Sequence, residues 1–344
     1  MKCRTLLTLL ALLVPLAPAE ASLPEDAGWS ADYANPIYGP WESYPFLISR
    51  DPGSSTPAAL YAGATYDGDL IVGGNLSQDN LGNPTPGVAR WDGTAWQPLG
   101  GGINGDVYAL CVWGGDLFAG GNFDSAGSAA SSDIAYWDGA SWHSVPGTSS
   151  GSIRELAVFD GALIACGAFS EIGGVPAAGI AAWNGATWSA LGSGLGDSPG
   201  RALWVDAGVL HVGGDFTTAG GGPGDYVATW NGASWSAIPG GPNGPVHALT
   251  TWQGELVAGG EFTAVGGASG SIVQVARFDG SSWSLVGDGF EDSSSSPYPV
   301  VVRSLAGDAA YLVACGDFEY SGAEYLAGGA ARWTGAKWER MGED

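Results

Sequence analysis

The chain has 344 residues, 59 of them glycine, and 35 acidic against 11 basic side chains give a formal net charge of −24. This charge disfavours DNA, RNA and anionic membranes as partners. The length is sufficient for a hydrophobic core that stabilises the fold by packing alone.

The first 21 residues have the three-part pattern of a secretory signal peptide. Lys2 and Arg4 precede an apolar stretch of about 13 residues (5–17), and Ala19 and Ala21 have the small side chains that signal peptidase reads. The stretch is shorter than the roughly 20 residues needed to cross a bilayer. We therefore expect cleavage after Ala21, no membrane span, and an extracellular, periplasmic or cell-surface location.

Two short motifs recur six times in the same phase. The first is aromatic-x-Gly-x-x-Trp, at Trp91–Trp96, Trp137–Trp142, Trp183–Trp188, Trp230–Trp235, Phe278–Trp283 and Trp333–Trp338. The second begins with glycine or cysteine followed by glycine, at Gly73–Leu76, Gly120–Phe123, Cys166–Phe169, Gly213–Phe216, Gly259–Phe262 and Cys315–Phe318. The first motif advances in steps of 46, 46, 47, 48 and 55 residues. The chain is therefore built from six repeats.

Each repeat predicts four short strands. In the second repeat these are residues 107–113, 116–123, 134–137 and 141–145, and the Asp138-Gly139 pair predicts a tight hairpin turn. No segment has a convincing helical period. Four strands in about 47 residues are typical of one β-propeller blade.

The sequence thus predicts an all-β propeller with six four-stranded blades over residues 57–344. The repeats run at about 57–103, 104–150, 151–197, 198–243, 244–298 and 299–344. An open β-solenoid is a rival, although it exposes sheet edges at both ends. Residues 22–56, rich in proline and aromatic side chains, either cap the propeller, complete its closing blade or contribute to a seventh.

The double glycine at the end of the second strand and the later tryptophan resemble the kelch-type repeats of galactose-oxidase-like propellers. The fuller repeat is similar to secreted bacterial propeller-repeat proteins. This resemblance implies the fold and leaves the function open, because propellers host unrelated activities. Galactose oxidase holds copper with tyrosine and histidine, whereas His143, His211 and His247 lie in three separate repeats here. Its activity is not implied.

One aligned column places polar residues at the start of each first strand. Its members are Tyr61, Tyr108, Arg154, Arg201, His247 and Arg303. The first strand of a blade is innermost, so we expect these residues to form a ring at one mouth of the central channel. Such a ring is the candidate ligand-binding site, because arginine binds carboxylate, sulfate or phosphate through charge-assisted hydrogen bonds.

The competing interpretation is that the ring residues form ion pairs within their own blades. Fourteen residues after each ring position the repeats carry Asn75, Asn122, Ala168, Asp215, Glu261 and Asp317. Asp215, Glu261 and Asp317 are thus predicted structural partners of Arg201, His247 and Arg303, since buried charges need partners. Arg154 faces Ala168 instead. It either pairs with Glu155 or Glu171 or is available to a ligand.

No other pattern predicts a catalytic or metal site. The chain has no calcium-loop motif and no nucleophile motif, so no cofactor, metal ligand or catalytic residue is assigned, and calcium stays a possibility without a motif. The repeated tryptophans favour packing over a carbohydrate platform. A rim column of Arg90, Arg277 and Arg332 favours salt bridges. Cys166 and Cys315 replace the glycine of the second motif, which predicts small buried residues rather than a disulfide framework.

We expect a monomeric, non-catalytic binding or cell-surface module whose ligand is an extracellular protein, a glycan or a small anion. The alternatives are a glycan hydrolase or lyase with its site at the channel mouth, and a structural domain of a surface layer.

Overall fold

A computed structural model describes residues 47–49, 59–79, 84–196, 198–266, 274–292, 299–307, 311–322, 324–326 and 329–341. All regular elements in these ranges are β-strands, and they form six antiparallel blades in chain order. The six-bladed all-β propeller predicted from the repeats is confirmed. The predicted signal peptide and residues 22–46 and 50–58 lie outside the described residues.

The first three blades contain seventeen strands, including a short strand that precedes blade 1. That strand is β1 (Leu47–Ser49), and blade 1 contains β2 (Ala59–Tyr66), β3 (Asp69–Asp79), β4 (Val88–Trp91) and β5 (Trp96–Pro98). Blade 2 contains β6 (Asp106–Trp113), β7 (Asp116–Asn122), β8 (Ser125–Ala126), β9 (Ala129–Ala130), β10 (Ile134–Trp137) and β11 (Trp142–Ser144). Blade 3 contains β12 (Ile153–Phe159), β13 (Ala162–Gly167), β14 (Glu171–Ile172), β15 (Val175–Pro176), β16 (Ile180–Trp183) and β17 (Trp188–Ala190).

The last three blades repeat this arrangement. Blade 4 contains β18 (Gly200–Asp206), β19 (Val209–Gly214), β20 (Thr218–Ala219), β21 (Gly222–Pro223), β22 (Val227–Trp230) and β23 (Trp235–Ala237). Blade 5 contains β24 (Val246–Trp252), β25 (Glu255–Gly260), β26 (Val275–Phe278) and β27 (Trp283–Leu285). Blade 6 contains β28 (Val301–Gly307), β29 (Leu312–Asp317), β30 (Tyr320–Ser321), β31 (Glu324–Tyr325), β32 (Ala330–Trp333) and β33 (Trp338–Arg340).

Each blade places the four strands of its main sheet from the channel outwards in chain order, and the short pairs β8–β9, β14–β15, β20–β21 and β30–β31 form separate two-stranded sheets. The first long strand of every blade contributes residues to one shared cavity of about 260 Å³. In blades 1 to 5 tight turns join the first two strands. In blade 3 the turn residues Asp160 and Gly161 have φ values of 49° and 76°, the combination that a type I′ hairpin requires and that favours glycine. One mouth of the channel is therefore lined by short, closely set turns.

The cores lie between the blades, because alternate residues of each strand face opposite neighbours. On β13, Leu163 and Ala165 pack with blade 2, whereas Ile164 and Cys166 pack with blade 4. Equivalent clusters join blades 1 and 2, blades 4 and 5, and blades 5 and 6. Five interfaces in a row thus repeat the same packing.

Blades 6 and 1 do not share such a cluster within the described ranges. Leu60, Val72, Leu76 and Ala89 form a separate cluster on blade 1, and a second cluster around Val313 lies on blade 6. Strand β1 pairs with the far end of β3, beyond the part of β3 that pairs with β2. The described part of the N-terminal segment therefore adds a strand to the blade 1 sheet.

The first residue of the second motif lies at the blade interfaces. A Cβ atom on Gly120 would come within 2.6 Å of Ile153 Cγ2 in the next blade, so the small residue makes room for a large one. Cys166 and Cys315 occupy this position in blades 3 and 6 and are fully buried. Cys111 and Cys166 are free thiols. The full burial of Cys166 and Cys315 agrees with their predicted role as small core residues.

The last tryptophan of the hairpin motif connects neighbouring blades. The indole N–H donates to a backbone carbonyl of the preceding blade, from Trp142 to Leu99 at 2.8 Å and from Trp338 to Val286 at 3.0 Å. Trp188 and Trp235 make the same bond at 3.2 and 2.7 Å. Because each of these bonds satisfies a buried or half-buried donor, these tryptophans have a packing role.

Candidate functional site at the channel mouth

A β-bulge positions every residue of the predicted ring. The register between the first and second strands shifts by one residue in all six blades, and the residue at each shift is the ring residue. The positions are Tyr61, Tyr108, Arg154, Arg201, His247 and Arg303. A bulge changes the direction of one side chain without breaking the sheet. The six ring residues therefore share one backbone geometry at the same mouth.

The second glycine of the motif makes this bulge possible. A Cβ atom on Gly121 would overlap the carbonyl oxygen of Asp106, and one on Gly260 would overlap that of Pro245. In both blades this carbonyl lies two residues before the ring residue. The second glycine of the repeat motif is thus also required for the bulge that positions the ring residues.

Blades 4 to 6 form the ion-paired half of the ring. Arg201 donates from Nε to Asp215 Oδ1 and from Nη2 to Asp215 Oδ2, both at 2.6 Å. Arg303 donates from Nε to Asp317 Oδ2 at 2.8 Å, and its Nη2 donates to the same oxygen. Arg201 thus makes two parallel bonds to both carboxylate oxygens, whereas both bonds of Arg303 converge on one oxygen; two bonds to one carboxylate fix each arginine.

The histidine of this half is the most buried member of the ring. His247 Nε2 lies 3.3 Å from Glu261 Oε1, and the histidine is 6% exposed. The two groups form a close contact that becomes an ion pair when the imidazole is protonated. The position fourteen residues after the ring thus supplies an acid to all three ring residues of blades 4 to 6.

Blades 1 to 3 form the aromatic half of the ring. The rings of Tyr61 and Tyr108 have centroids 5.3 Å apart with an interplanar angle of 54°. The guanidinium carbon of Arg154 lies 4.6 Å from the centroid of the Tyr108 ring, which is a cation–π contact between neighbouring blades. The Tyr108 hydroxyl donates to Asp106 at 3.3 Å. Burial raises the pKa of Tyr108, the Asp106 charge raises it further, and Arg154 opposes both effects.

Arg154 differs from the other ring cations in its electrostatic environment. Across the described ranges no carboxylate oxygen lies within 4 Å of its guanidinium, and neither Glu155 nor Glu171 forms the ion pair that the sequence left open. Its side chain is half-buried. The planar cation therefore has hydrogen-bond donors that no carboxylate of the described chain occupies.

The cavity below the ring contains a carboxylate that the sequence analysis did not select. Glu155 lines the cavity together with Tyr61, Tyr108, His247 and Arg303. In the aligned column after the ring the six residues are Ala62, Ala109, Glu155, Ala202, Ala248 and Ser304. A single glutamate in a column of small residues is the sequence signal that could have identified Glu155 as a candidate site residue. It places the two exceptions of the ring region, Arg154 and Glu155, side by side in blade 3.

The rim arginines are all ion-paired. Arg90 lies 3.4 Å from Asp69, Arg277 lies 3.4 Å from Glu255, and Arg332 lies 3.6 Å from a glutamate on the adjacent strand. Exposed pairs of this kind contribute little stability but neutralise the cation. Within the described residues no group of three or more His, Cys, Asp or Glu side chains is arranged to hold a metal ion, and no helix could span a membrane.

No protein-family model and no curated protein matches this chain.

Proposed function

We propose that the chain is an extracellular, non-catalytic binding module whose ligand site is the aromatic half of the channel mouth. The observation that carries the proposal is Arg154, the ring cation without a carboxylate partner in the described chain, which stacks on Tyr108, a residue that lines the cavity. The extracellular location rests on the signal-peptide pattern of residues 1–21, and a relation to kelch-type propellers rests on the repeat motifs.

The expected ligand carries an anionic group, which is a carboxylate, sulfate or phosphate on a small molecule, a glycan or a protein. The guanidinium can donate two parallel hydrogen bonds to such a group. The stacked tyrosine holds the guanidinium plane in place, so little side-chain freedom is lost on binding. On a protein with a net charge of −24, a cation at the channel mouth that no described carboxylate neutralises is a local exception that selects for anions.

The test is calorimetric titration of the protein with sulfate, phosphate, acetate and glucuronate. Replacing Arg154 with alanine removes charge-assisted hydrogen bonds that are worth about 1.5–3 kcal/mol, so we expect affinity to fall roughly 10- to 100-fold. The matched control is Arg277→Ala, which removes an arginine of similar exposure from the rim. Equal binding by the Arg154→Ala protein, or no binding of any anion by the intact protein, would contradict the proposal.

A further inference from the structure

The channel mouth opposite the ring exposes a row of valines. Four residues after the ring, about 13 Å along an extended strand, blades 2, 3 and 4 carry Val112, Val158 and Val205. Their exposed fractions are 40%, 39% and 37%. The other blades place Thr65, Thr251 and Gly307 at this position. We call the three valines the valine crescent, because they lie on consecutive inner strands around one side of the mouth.

The crescent stands out against the rest of the described surface. Six large apolar side chains are strongly exposed there, and three of them are these valines. Isolated exposed apolar residues are normal, whereas a contiguous group indicates an interaction site. Because equivalent positions on neighbouring inner strands lie side by side, the three valines form one patch.

Hydrogen bonds between blades anchor the inner strands that carry the crescent. The Trp113 indole of blade 2 donates to the Gly161 carbonyl in the blade 3 turn at 2.9 Å. The Trp204 indole of blade 4 donates to Thr251 Oγ1 of blade 5 at 2.7 Å. The first bond joins the turns beside Val112 and Val158, and the second anchors the strand of Val205 to blade 5, so binding requires less ordering of the surface.

Uncompensated negative charge surrounds the crescent. Asp116, Asp160 and Asp206 lie in or beside the turns that follow the three valines, and none of them forms an ion pair with a described residue. Residues 104–243 contain only two basic side chains of lysine or arginine type, Arg154 and Arg201, and both belong to the ring at the other mouth. This side of blades 2 to 4 therefore has an unneutralised negative potential.

We propose that the valine crescent and the three aspartates form a docking surface for a cationic amphipathic segment of a partner protein. Apolar side chains of the segment pack on Val112, Val158 and Val205, and its lysine or arginine side chains face the carboxylates. Charge complementarity selects a basic partner and speeds association, while the apolar contact fixes its position. This surface is separate from the ring, so it does not depend on the function proposed for the ring.

The test uses a synthetic amphipathic helix of leucine and lysine, labelled for fluorescence anisotropy, and the intact protein. We expect saturable binding that weakens as salt rises, because exposed charges are screened. A peptide of the same composition, scrambled so that its leucines share no face, is expected to bind at least fivefold more weakly. Equal binding of both peptides would show attraction by charge alone and would overturn the proposal, as would absence of binding at low salt.

Variants locate the binding site. Val158→Ser is expected to weaken binding of the amphipathic peptide about tenfold, and Asp160→Asn about threefold with a smaller dependence on salt. Leu285→Ser is the matched control, because Leu285 is also 39% exposed but lies on an outer strand of blade 5. Val112→Ser repeats the test should Val158→Ser fail to fold. Unchanged affinity in the folded valine variants, or an equal loss in Leu285→Ser, would refute the proposed surface.

Discussion

The interface between blades 3 and 4 reverses a packing arrangement used elsewhere in the propeller. Gly213 in blade 4 lies against Val246 in blade 5, as small residue against large. Between blades 3 and 4 the motif position is Cys166 and the facing residue is Gly200. A Cβ atom on Gly200 would lie 2.9 Å from Cys166 Cβ, 3.1 Å from Cys166 Sγ and 2.9 Å from Leu195 Cδ1, which is the far end of a flexible side chain and can move aside. Each residue therefore depends on the size of the other, and a double-mutant cycle can measure that dependence.

The expected free energies of unfolding follow from this geometry. Gly200→Val forces the added side chain into Cys166, and such overpacking costs about 1–3 kcal/mol. Cys166→Gly removes two heavy atoms from a fully buried position, which costs about 1.5 kcal/mol in burial and about 0.5–1 kcal/mol from the glycine backbone. The double variant recreates the glycine–valine pair of blades 4 and 5. We expect it to unfold within about 1 kcal/mol of the parent protein, well below the sum of the two single losses.

The assay is equilibrium unfolding in urea followed by tryptophan fluorescence. The four proteins are compared with one common slope of unfolding free energy against urea concentration. A coupling free energy of about 2 kcal/mol or more in favour of the double variant supports the reasoning. A double variant that loses as much stability as both single variants together would show that size complementarity does not determine this interface.

Three further predictions concern hydrogen bonds, acid stability and thiol reactivity. Trp338→Phe should lower the free energy of unfolding by about 1–3 kcal/mol, because the buried Val286 carbonyl loses its hydrogen-bond donor. Trp283→Phe should lower it less, because the indole nitrogen of Trp283 has no hydrogen-bond partner among the described residues. Equal losses of unfolding free energy in urea would contradict this prediction. Hydrogen bonds from the Ser281 hydroxyl and following backbone N–H groups lower the pKa of Asp279 to about 2, and hydrogen bonds likewise lower the pKa values of Asp92 and Asp138 to about 2. The stability that these three carboxylates contribute is complete above the unfolded pKa near 4 and is lost as pH falls through about 2. The Tm of the triple Asp→Asn variant should therefore change less between pH 4 and 2 than the Tm of the parent protein. Parallel curves of Tm against pH would refute this prediction. Burial raises the pKa of Cys111 to about 12 and that of Cys166 well above its usual range, so neither thiol should react with iodoacetamide at pH 8 until the protein unfolds; rapid labelling of the native protein, measured by mass spectrometry, would show that the thiols are not protected.

The sequence by itself determined the blades and much of the chemistry within each blade. Hairpin turns such as Asp138-Gly139 and the paired glycines are local signals, because they reflect backbone conformation over a few residues. The contacts of Arg201 with Asp215 and of Arg303 with Asp317 follow from a fixed offset of fourteen residues. The offset places the two residues side by side because the first and second strands of a blade pair in one hairpin.

Only the tertiary structure decided how neighbouring blades meet. Arg154 stacks on Tyr108 of the previous blade, Cys166 faces Gly200 of the next blade, and the valine crescent joins three blades. These contacts depend on the rotation between successive sheets, which no residue pattern within one repeat contains. A repeated sequence therefore specifies its own repeat unit well, while the functional differences arise where unlike side chains from adjacent units meet across an interface.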